Sequence, residues 1–442
     1  MFVSVFKWIM LSSLVGVLVG ISVGIFLKTL DASIKFTETF PYYFLLLPFA
    51  FFLSAFLTMR FAPDAEGHGT EKVIEAVHKY AGKINPLVVP VKFVATIITL
   101  MMGGSAGKEG PCAQIGAGIS SILADFLKFD ENDRKKLVIC GISAGFASVF
   151  GTPIAGAIFG VEVLYVGSLL YDVLLPSFIA GLISYHITSS LFKITYFRHP
   201  LVYSPVFSDV FLIKIIIGGI FFGLCARLFI EVMEMVEGLK IILNLNKLLA
   251  SLIGGFSLAI LALAFSKQYL GLGLDTIQSL LQGGSIVWYA FLLKVLFTSI
   301  TLNFGGSGGI VTPIFFIGAS SGAFLSKFLN VDSSTFASIG FVATLAGAAN
   351  TPIAASIMAV ELFGANIAPY ASLACVISFI MTGHKSVYPS QVLAIRKSTS
   401  VKVQAGVVVE EIIPEISLRR KSLTYLLLRI FLGFKKKIKA NI

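Results

Sequence analysis

Charge is what this sequence has least of. Asp, Glu, Lys and Arg make up 13% of its 442 residues, against 56% hydrophobic residues and a mean hydropathy of +0.91. That balance excludes an ordinary soluble domain of this length. Cysteine is also sparse: Cys112, Cys140, Cys225 and Cys375 lie far apart in apolar runs and read as small core residues. They show no metal-ligand spacing, and neither do His68, His78, His186, His199 and His384, so neither a metal nor another cofactor is expected. No small-residue cleavage site follows the first apolar window, Trp8–Leu27, which therefore reads as a retained span rather than a signal peptide.

What the chain has in abundance is long apolar sequence. About 20 apolar residues suffice to cross the hydrocarbon. Candidate windows are Trp8–Leu27, Thr39–Met59, Leu137–Val161, Val173–Phe192, Leu248–Ser266, Ser333–Val360 and Leu362–His384. In lipid each backbone N–H and C=O must be paired within the segment, so the spans are expected to be helices and the chain an all-α polytopic membrane protein. The formal charge of +11 is uneven, with Arg419, Arg420, Lys421, Arg429, Lys435, Lys436, Lys437 and Lys439 crowded at the end. Such a cluster anchors a cytoplasmic C-terminus or lies on anionic headgroups. It lacks the folded basic surface expected of a nucleic-acid binder.

Three landmarks occur twice, in the same order. Gly67-His68-Gly69-Thr70-Glu71 matches Gly271-Leu272-Gly273-Leu274-Asp275. Gly103–Pro111 (GGSAGKEGP) matches Gly305–Pro313 (GGSGGIVTP). Gly151-Thr152-Pro153-Ile154-Ala155, leading to Glu162, matches Asn350-Thr351-Pro352-Ile353-Ala354, leading to Glu361. Conserved order at nearly constant offset marks an internal duplication. Residues 1–200 are the expected first membrane repeat, 205–396 the second, and 397–442 a short basic tail, with the polar stretch Tyr196–Asp209 as the joint. Transport folds built this way commonly invert one repeat and place the substrate where broken helices meet near the midplane.

The glycine motifs precede helix-like stretches. A helix start carries unpaired N–H groups and about half a positive charge, so several starts aimed at one point hold an anion without a full cation. Loose holding of that kind allows release. Close packing by small residues is the plainer explanation of any single motif. Glu109, however, places a carboxylate at such a start, where charge is costly and marks function by default. Ionised, it would sit in an anion's place, and protonation or displacement would clear that place. The plainer alternative is a surface pair with Lys108. Glu162 and Glu361, at matching positions, read as structural: each would accept local hydrogen bonds. His68 would either line the anion path and titrate near neutral pH or sit at the interface. Ser105 and Ser307 lie in Gly-x-Ser-x-Gly matches, but a serine-hydrolase elbow needs a preceding strand and a His–acid partner.

With these residues the chain resembles the CLC family of chloride channels and proton-coupled chloride transporters, over nearly its whole length to residue 396. Gly107-Lys108-Glu109-Gly110-Pro111 resembles the family's signature loop. The resemblance implies a two-repeat, inverted fold with broken and re-entrant helices. It implies that Glu109 is the gating glutamate and that the amides of Lys108, Glu109 and Gly110 face an external anion site. Gly309-Ile310-Val311-Thr312-Pro313 resembles a second family loop, with Val311 in place of the usual phenylalanine, so the amides of Ile310 and Val311 would face a central anion. Tyr388 resembles the tyrosine whose hydroxyl touches that anion. The first glycine motif departs from the family pattern: His68 stands where the anion-contacting serine would be and Glu71 where a proline would be.

Val163 stands where many exchangers carry an inner proton-relay glutamate, and valine there resembles the channels. The expectation is therefore chloride conduction gated by Glu109, leaning to a passive channel, with proton/chloride antiport as the alternative and an intramembrane hydrolase as a remote one. The implied partners are chloride or a similar anion as transported ligand, protons if exchange holds, the bilayer, and a second copy in a homodimer. The expected setting is the plasma membrane of a prokaryote. The large cytoplasmic regulatory module of many members is not expected in the short tail.

Overall fold

Two of the long apolar windows break where the sequence places a turn residue, a threonine and a proline. A computed structural model of the chain describes residues 2–196, 209–398, 401–412 and 415–416. Of the expected joint Tyr196–Asp209, residues 197–208 lie outside the described residues, as does the basic cluster from Arg419 onward. The first half supplies α1 (Phe2–Glu38), α2 (Leu47–Phe61), α3 (Thr70–Lys79), α4 (Val88–Met101), α5 (Glu109–Phe126), α6 (Glu131–Phe150), α7 (Pro153–Glu162) and α8 (Tyr171–Ser190). The second supplies α9 (Asp209–Ile242), α10 (Lys247–Ala264), α11 (Leu274–Leu281), α12 (Ala290–Asn303), α13 (Val311–Leu329), α14 (Ser333–Ala349), α15 (Pro352–Phe363) and α16 (Ala368–Met381). Each helix of one half has its counterpart, in order, in the other.

The breaks follow from local chemistry. Asp130 caps α6 by accepting from the Asp133 amide, and its counterpart Asp332 caps α14 through the Thr335 amide. Both helices end on a left-handed residue, Gly151 in one and Asn350 in the other. Pro153 and Pro352 then open α7 and α15, where a missing N–H costs nothing. Leu137–Val161 and Ser333–Val360 are therefore each two helices, not one span. The windows also missed α9, whose apolar run is interrupted by charges such as the Arg227–Glu231 pair at 2.8 Å, one turn apart on the helix. Among the described residues, six helices are long and apolar enough to cross a membrane, α1, α8, α9, α10 and α13 among them.

Against these lie the inner helices. α5 packs along α6, and α13 along α14, with most residues of the four buried. Close approach requires glycine there: a Cβ on Gly116 would lie 2.3 Å from the Gly141 carbonyl oxygen, and one on Gly318 would lie 2.2 Å from that of Gly340. A two-residue parallel pairing of β1 (Tyr165–Val166) with β2 (Val392–Leu393) ties the segment after α7 to the segment after α16. All four cysteines are buried and unbridged, as core residues would be.

Candidate anion-binding site

The two GGSxG loops meet face to face. Gly107 and Gly309, equivalent residues of the two halves, form an antiparallel bridge: the Gly107 amide donates to the Gly309 carbonyl at 2.6 Å and the Gly309 amide to the Gly107 carbonyl at 2.5 Å. Around it the contacts are reciprocal. The Ser105 amide donates to Thr301 Oγ1 at 3.0 Å and the Ser307 amide to Thr99 Oγ1 at 2.9 Å. The Ser105 hydroxyl pairs with Thr298 and the Ser307 hydroxyl with Thr96, each at 3.1 Å. Both Gly-x-Ser-x-Gly serines are thus held by threonines of the opposite half.

This crossing brings the starts of α5 and α13 together. A Cβ on Gly309 would lie 2.8 Å from the Gly110 nitrogen and 3.2 Å from the Glu109 nitrogen, so the start of α5 packs directly against the loop of the other half. Glu109 is 3% exposed. Its carboxylate reaches over to α13, accepting from the Thr312 amide at 3.1 Å and, through the other oxygen, from the Thr312 hydroxyl. A carboxylate thus rests on the open, positive end of the opposite helix. Gly107 makes room for it: a Cβ there would fall 2.3 Å from Glu109 Oε2.

Thr312 escaped the sequence reading, which named the amides of Ile310 and Val311. Those two residues are buried beside it. The available signal was the repeat itself, because Thr312 is the counterpart of Gly110. Lys108, the residue before α5, is only partly buried.

Against Gly110, whose Cβ would lie 2.0 Å from the His68 carbonyl oxygen, lies a group of buried polar atoms without partners. The rings of His68 and Tyr388 are 5.5 Å apart between centroids. His68 Nδ1, Thr70 Oγ1, Glu71 Oε2 and Tyr388 Oη are all buried with no hydrogen-bond partner. Tyr388 is fully buried. Its hydroxyl neighbours Thr70 and lies within electrostatic reach of both Glu109 and Glu71. Buried polar groups are ordinarily satisfied, so several orphans together mark a place that a small polar species completes. The structure therefore brings Glu109, Gly110, Ile310, Val311, His68 and Tyr388 into one region.

Sequence reasoning also missed a pair of buried lysines. Lys92 of α4 donates to the Ala65 and Gly67 carbonyls at 3.2 and 2.5 Å, and its counterpart Lys294 of α12 donates to the Tyr269 and Gly271 carbonyls at 3.1 and 2.9 Å. Each lysine fixes the glycine turn that leads into α3 or α11. Two lysines at equivalent places in apolar helices were the legible sign. Glu162 and Glu361 correct an expectation as well. Their bonds are not local: Glu162 accepts from the Ile353 and Ala354 amides at 3.0 and 2.8 Å, and Glu361 from the Ile154 and Ala155 amides at 3.1 and 2.8 Å.

A family model described as voltage gated chloride channel matches residues 49–383. The chain belongs to the CLC family. It is 35% identical to a chloride/fluoride channel protein of Pseudomonas syringae pv. tomato, over 87% of this chain and 86% of that one. It is 27% identical to the H(+)/Cl(-) exchange transporter ClcA of Vibrio cholerae, over 81% and 82% of the two chains. Among solved structures, a CLC-type fluoride/proton antiporter superposes with a TM-score of 0.84 at 28% identity, covering 88% of this chain and 99% of that one. The fold is also that of a slow cyanobacterial Cl-/H+ antiporter, with a TM-score of 0.73 at 21% identity over 85% of this chain and 94% of that one. This CLC chain is accordingly an integral membrane protein of an anion-transporting family.

Proposed function

We propose that this CLC protein exchanges an anion, chloride or fluoride, for protons, with Glu109 as the group that both blocks the anion path and carries the proton. The observation that carries the reading is the seat of the Glu109 carboxylate on the start of α13, bonded to the amide and hydroxyl of Thr312. An anion entering that place must compete with the carboxylate, and the carboxylate yields most readily when it takes up a proton. Competition for one seat couples the two fluxes. The amides of Lys108, Gly110, Ile310 and Val311, with His68 and Tyr388, are the remaining proposed anion contacts. Relatives described as a chloride/fluoride channel protein and a fluoride/proton antiporter support testing both halides. A homodimer in a prokaryotic plasma membrane, with one pathway per subunit and a cytoplasmic C-terminus, belongs to the same reading.

A passive channel is the second reading. Val163 favours it, since a buried valine there cannot relay a proton. Purified protein in liposomes under opposed anion and proton gradients separates the two. Exchange predicts a reversal potential set by both gradients and proton movement driven uphill by the anion. A reversal potential set by the anion alone would replace exchange by conduction. Under exchange, Glu109→Gln is expected to cut proton flux by about a hundredfold, as removal of a positioned proton carrier does, while anion flux continues. Wild-type anion flux should rise as the pH falls, because protonation removes the competing charge. The variant's flux should be flat with pH.

A further inference from the structure

We propose that Glu71 is a second proton-binding site of this transporter, exchanging protons with Glu109 past the hydroxyl of Tyr388 on the side of the protein that carries the C-terminal segment. The inference rests on the exchange reading and supplies what that reading lacks, a titratable group inward of Glu109 where Val163 offers none.

The geometry is specific. Glu71 sits in the first turn of α3, a short helix outside the spanning set, and its Oε1 accepts from the Ser390 amide at 2.8 Å. Ser390 stands two residues after Tyr388, and the same loop receives the C-terminal segment: the Glu410 amide donates to the Pro389 carbonyl at 3.1 Å and the Val409 amide to the Gln391 carbonyl at 2.8 Å. One carboxylate oxygen is thereby fixed. The other, Oε2, is buried without a partner, in the same group of orphans as His68 Nδ1, Thr70 Oγ1 and Tyr388 Oη. A carboxylate held by one oxygen, with the other bare and sheltered, is placed to bind a proton. The turns that carry the two carboxylates touch: a Cβ on Gly110, next to Glu109, would lie 2.0 Å from the His68 carbonyl oxygen, and the His68 ring lies 5.5 Å from that of Tyr388.

The repeat supplies a control. Asp275 is the counterpart of Glu71, and Leu274 that of Thr70, yet both are exposed. The buried arrangement exists in one half only. The other charged groups facing Glu71 are few. Lys72 and Glu75, on its own helix, pair with each other at 2.9 Å. His68 precedes it in the turn that Lys92 of α4 fixes, and Tyr388 and Ser390 face it from the loop after α16. Burial outweighs the Ser390 side chain and amide and pushes the Glu71 carboxyl up to about 7, so the group changes state near neutral pH.

The step balances simply. A proton taken up on Glu71 from the C-terminal side passes to the Glu109 carboxylate. Glu71 becomes a carboxylate again, Glu109 becomes a neutral acid and leaves its seat on Thr312, and the anion moves in the opposite direction. The test uses the full-length protein in liposomes with chloride and with fluoride. Glu71→Gln is expected to lower proton flux relative to anion flux by about tenfold or more, as loss of a proton-transfer group does. A wild type without coupled proton flux overturns the exchange reading and this inference together. A wild type that couples, with Glu71→Gln coupling at the same ratio, overturns the inference and leaves exchange standing. Should Glu71→Gln fail to fold, Glu71→Asp decides: it keeps the acid one methylene shorter, is expected to shift the pH dependence on the C-terminal side, and overturns the proposal if that dependence is unchanged.

Discussion

At α7 and α15 the two halves exchange identical groups, whereas at α5 and α13 they do not. Glu162 takes the first amides of α15, and Glu361 takes those of α7, in mirror fashion. Both helix starts are thereby closed by a carboxylate from the other half, and neither positive end is left for a ligand. The same mutual exchange holds for Ser105 and Ser307, while Lys92 and Lys294 repeat one contact within each half. At the crossing of Gly107 with Gly309 the backbone is symmetric but the side chains are not. Glu109 has Val311 as counterpart, and Gly110 has Thr312. One half contributes an acid and the other a seat for it. Where a feature is duplicated it builds the frame, and where the duplication fails the frame is put to use. The turn into α3 obeys the same rule, with His68, Thr70 and Glu71 opposite Leu272, Leu274 and Asp275.

The most disruptive way to challenge this comparison is to remove one member of a symmetric exchange. Glu162→Ala strips the partners from two amides at the start of α15, and Glu361→Ala does the same for α7. At roughly 1–3 kcal/mol for a buried donor left unpaired, and with only Ala155 and Ala354 of the four donor residues buried, either variant is expected to lose roughly 1–3 kcal/mol of stability. Thermal denaturation in detergent would measure it, and the two losses should be alike. In whatever protein folds, the ratio of proton to anion flux should match wild type. A changed ratio in either variant would move these carboxylates out of the frame and into the transport path.

The second challenge sharpens the contrast at the crossing itself. Gly107→Ala places a methyl group 2.3 Å from Glu109 Oε2, the free end of a side chain that is able to swing away. Gly309→Ala places one 2.8 Å from the Gly110 nitrogen, which is backbone and cannot. Overpacking of this kind costs about 1–3 kcal/mol. In Gly107→Ala the cost falls chiefly on the seated carboxylate and its Thr312 partner, whose hydroxyl and amide nitrogen would lie 2.9 and 3.1 Å from the methyl, so anion flux is expected to lose most of its pH dependence with a smaller loss of folded yield. In Gly309→Ala it falls on the bridge, so folded yield should drop. Flux assays across a pH series, paired with size-exclusion profiles, separate the outcomes. A pH-sensitive Gly107→Ala would mean that the carboxylate does not rest where the structure puts it during transport.

Much of this was readable before any coordinates. The paired glycine loops, the repeated Thr-Pro motifs and Glu109 announce themselves because duplication leaves a pattern that apolar composition alone does not. The break points were harder. Leu137–Val161 reads as one hydrophobic span, since apolar residues continue through Gly151 and only the caps and Pro153 stop the helix. Partners across the halves were not legible: no spacing rule connects Glu162 to Ile353, or Glu109 to Thr312, because those contacts are set by the packing of one repeat on the other. Glu71 was noticed only as a departure from the expected proline, since its importance depends on the Ser390 amide and on Tyr388, far along the chain.

The mildest challenge concerns the serines. If the Ser105 and Ser307 hydroxyls serve only to lock the crossing, each is worth one hydrogen bond to a threonine, about 1 kcal/mol. Ser105→Ala and Ser307→Ala should therefore destabilise the protein by similar small amounts, and a double variant with Thr298→Val or Thr96→Val should cost less than the sum, since each pair loses both partners together. The backbone amides of both serines would still be held by Thr301 and Thr99, so the loops should keep their places and the coupling ratio its value. An unequal pair of effects would be the informative result. It would mean that one serine does more than hold the frame, and the obvious candidate is Ser105, which lies on the same loop as Glu109.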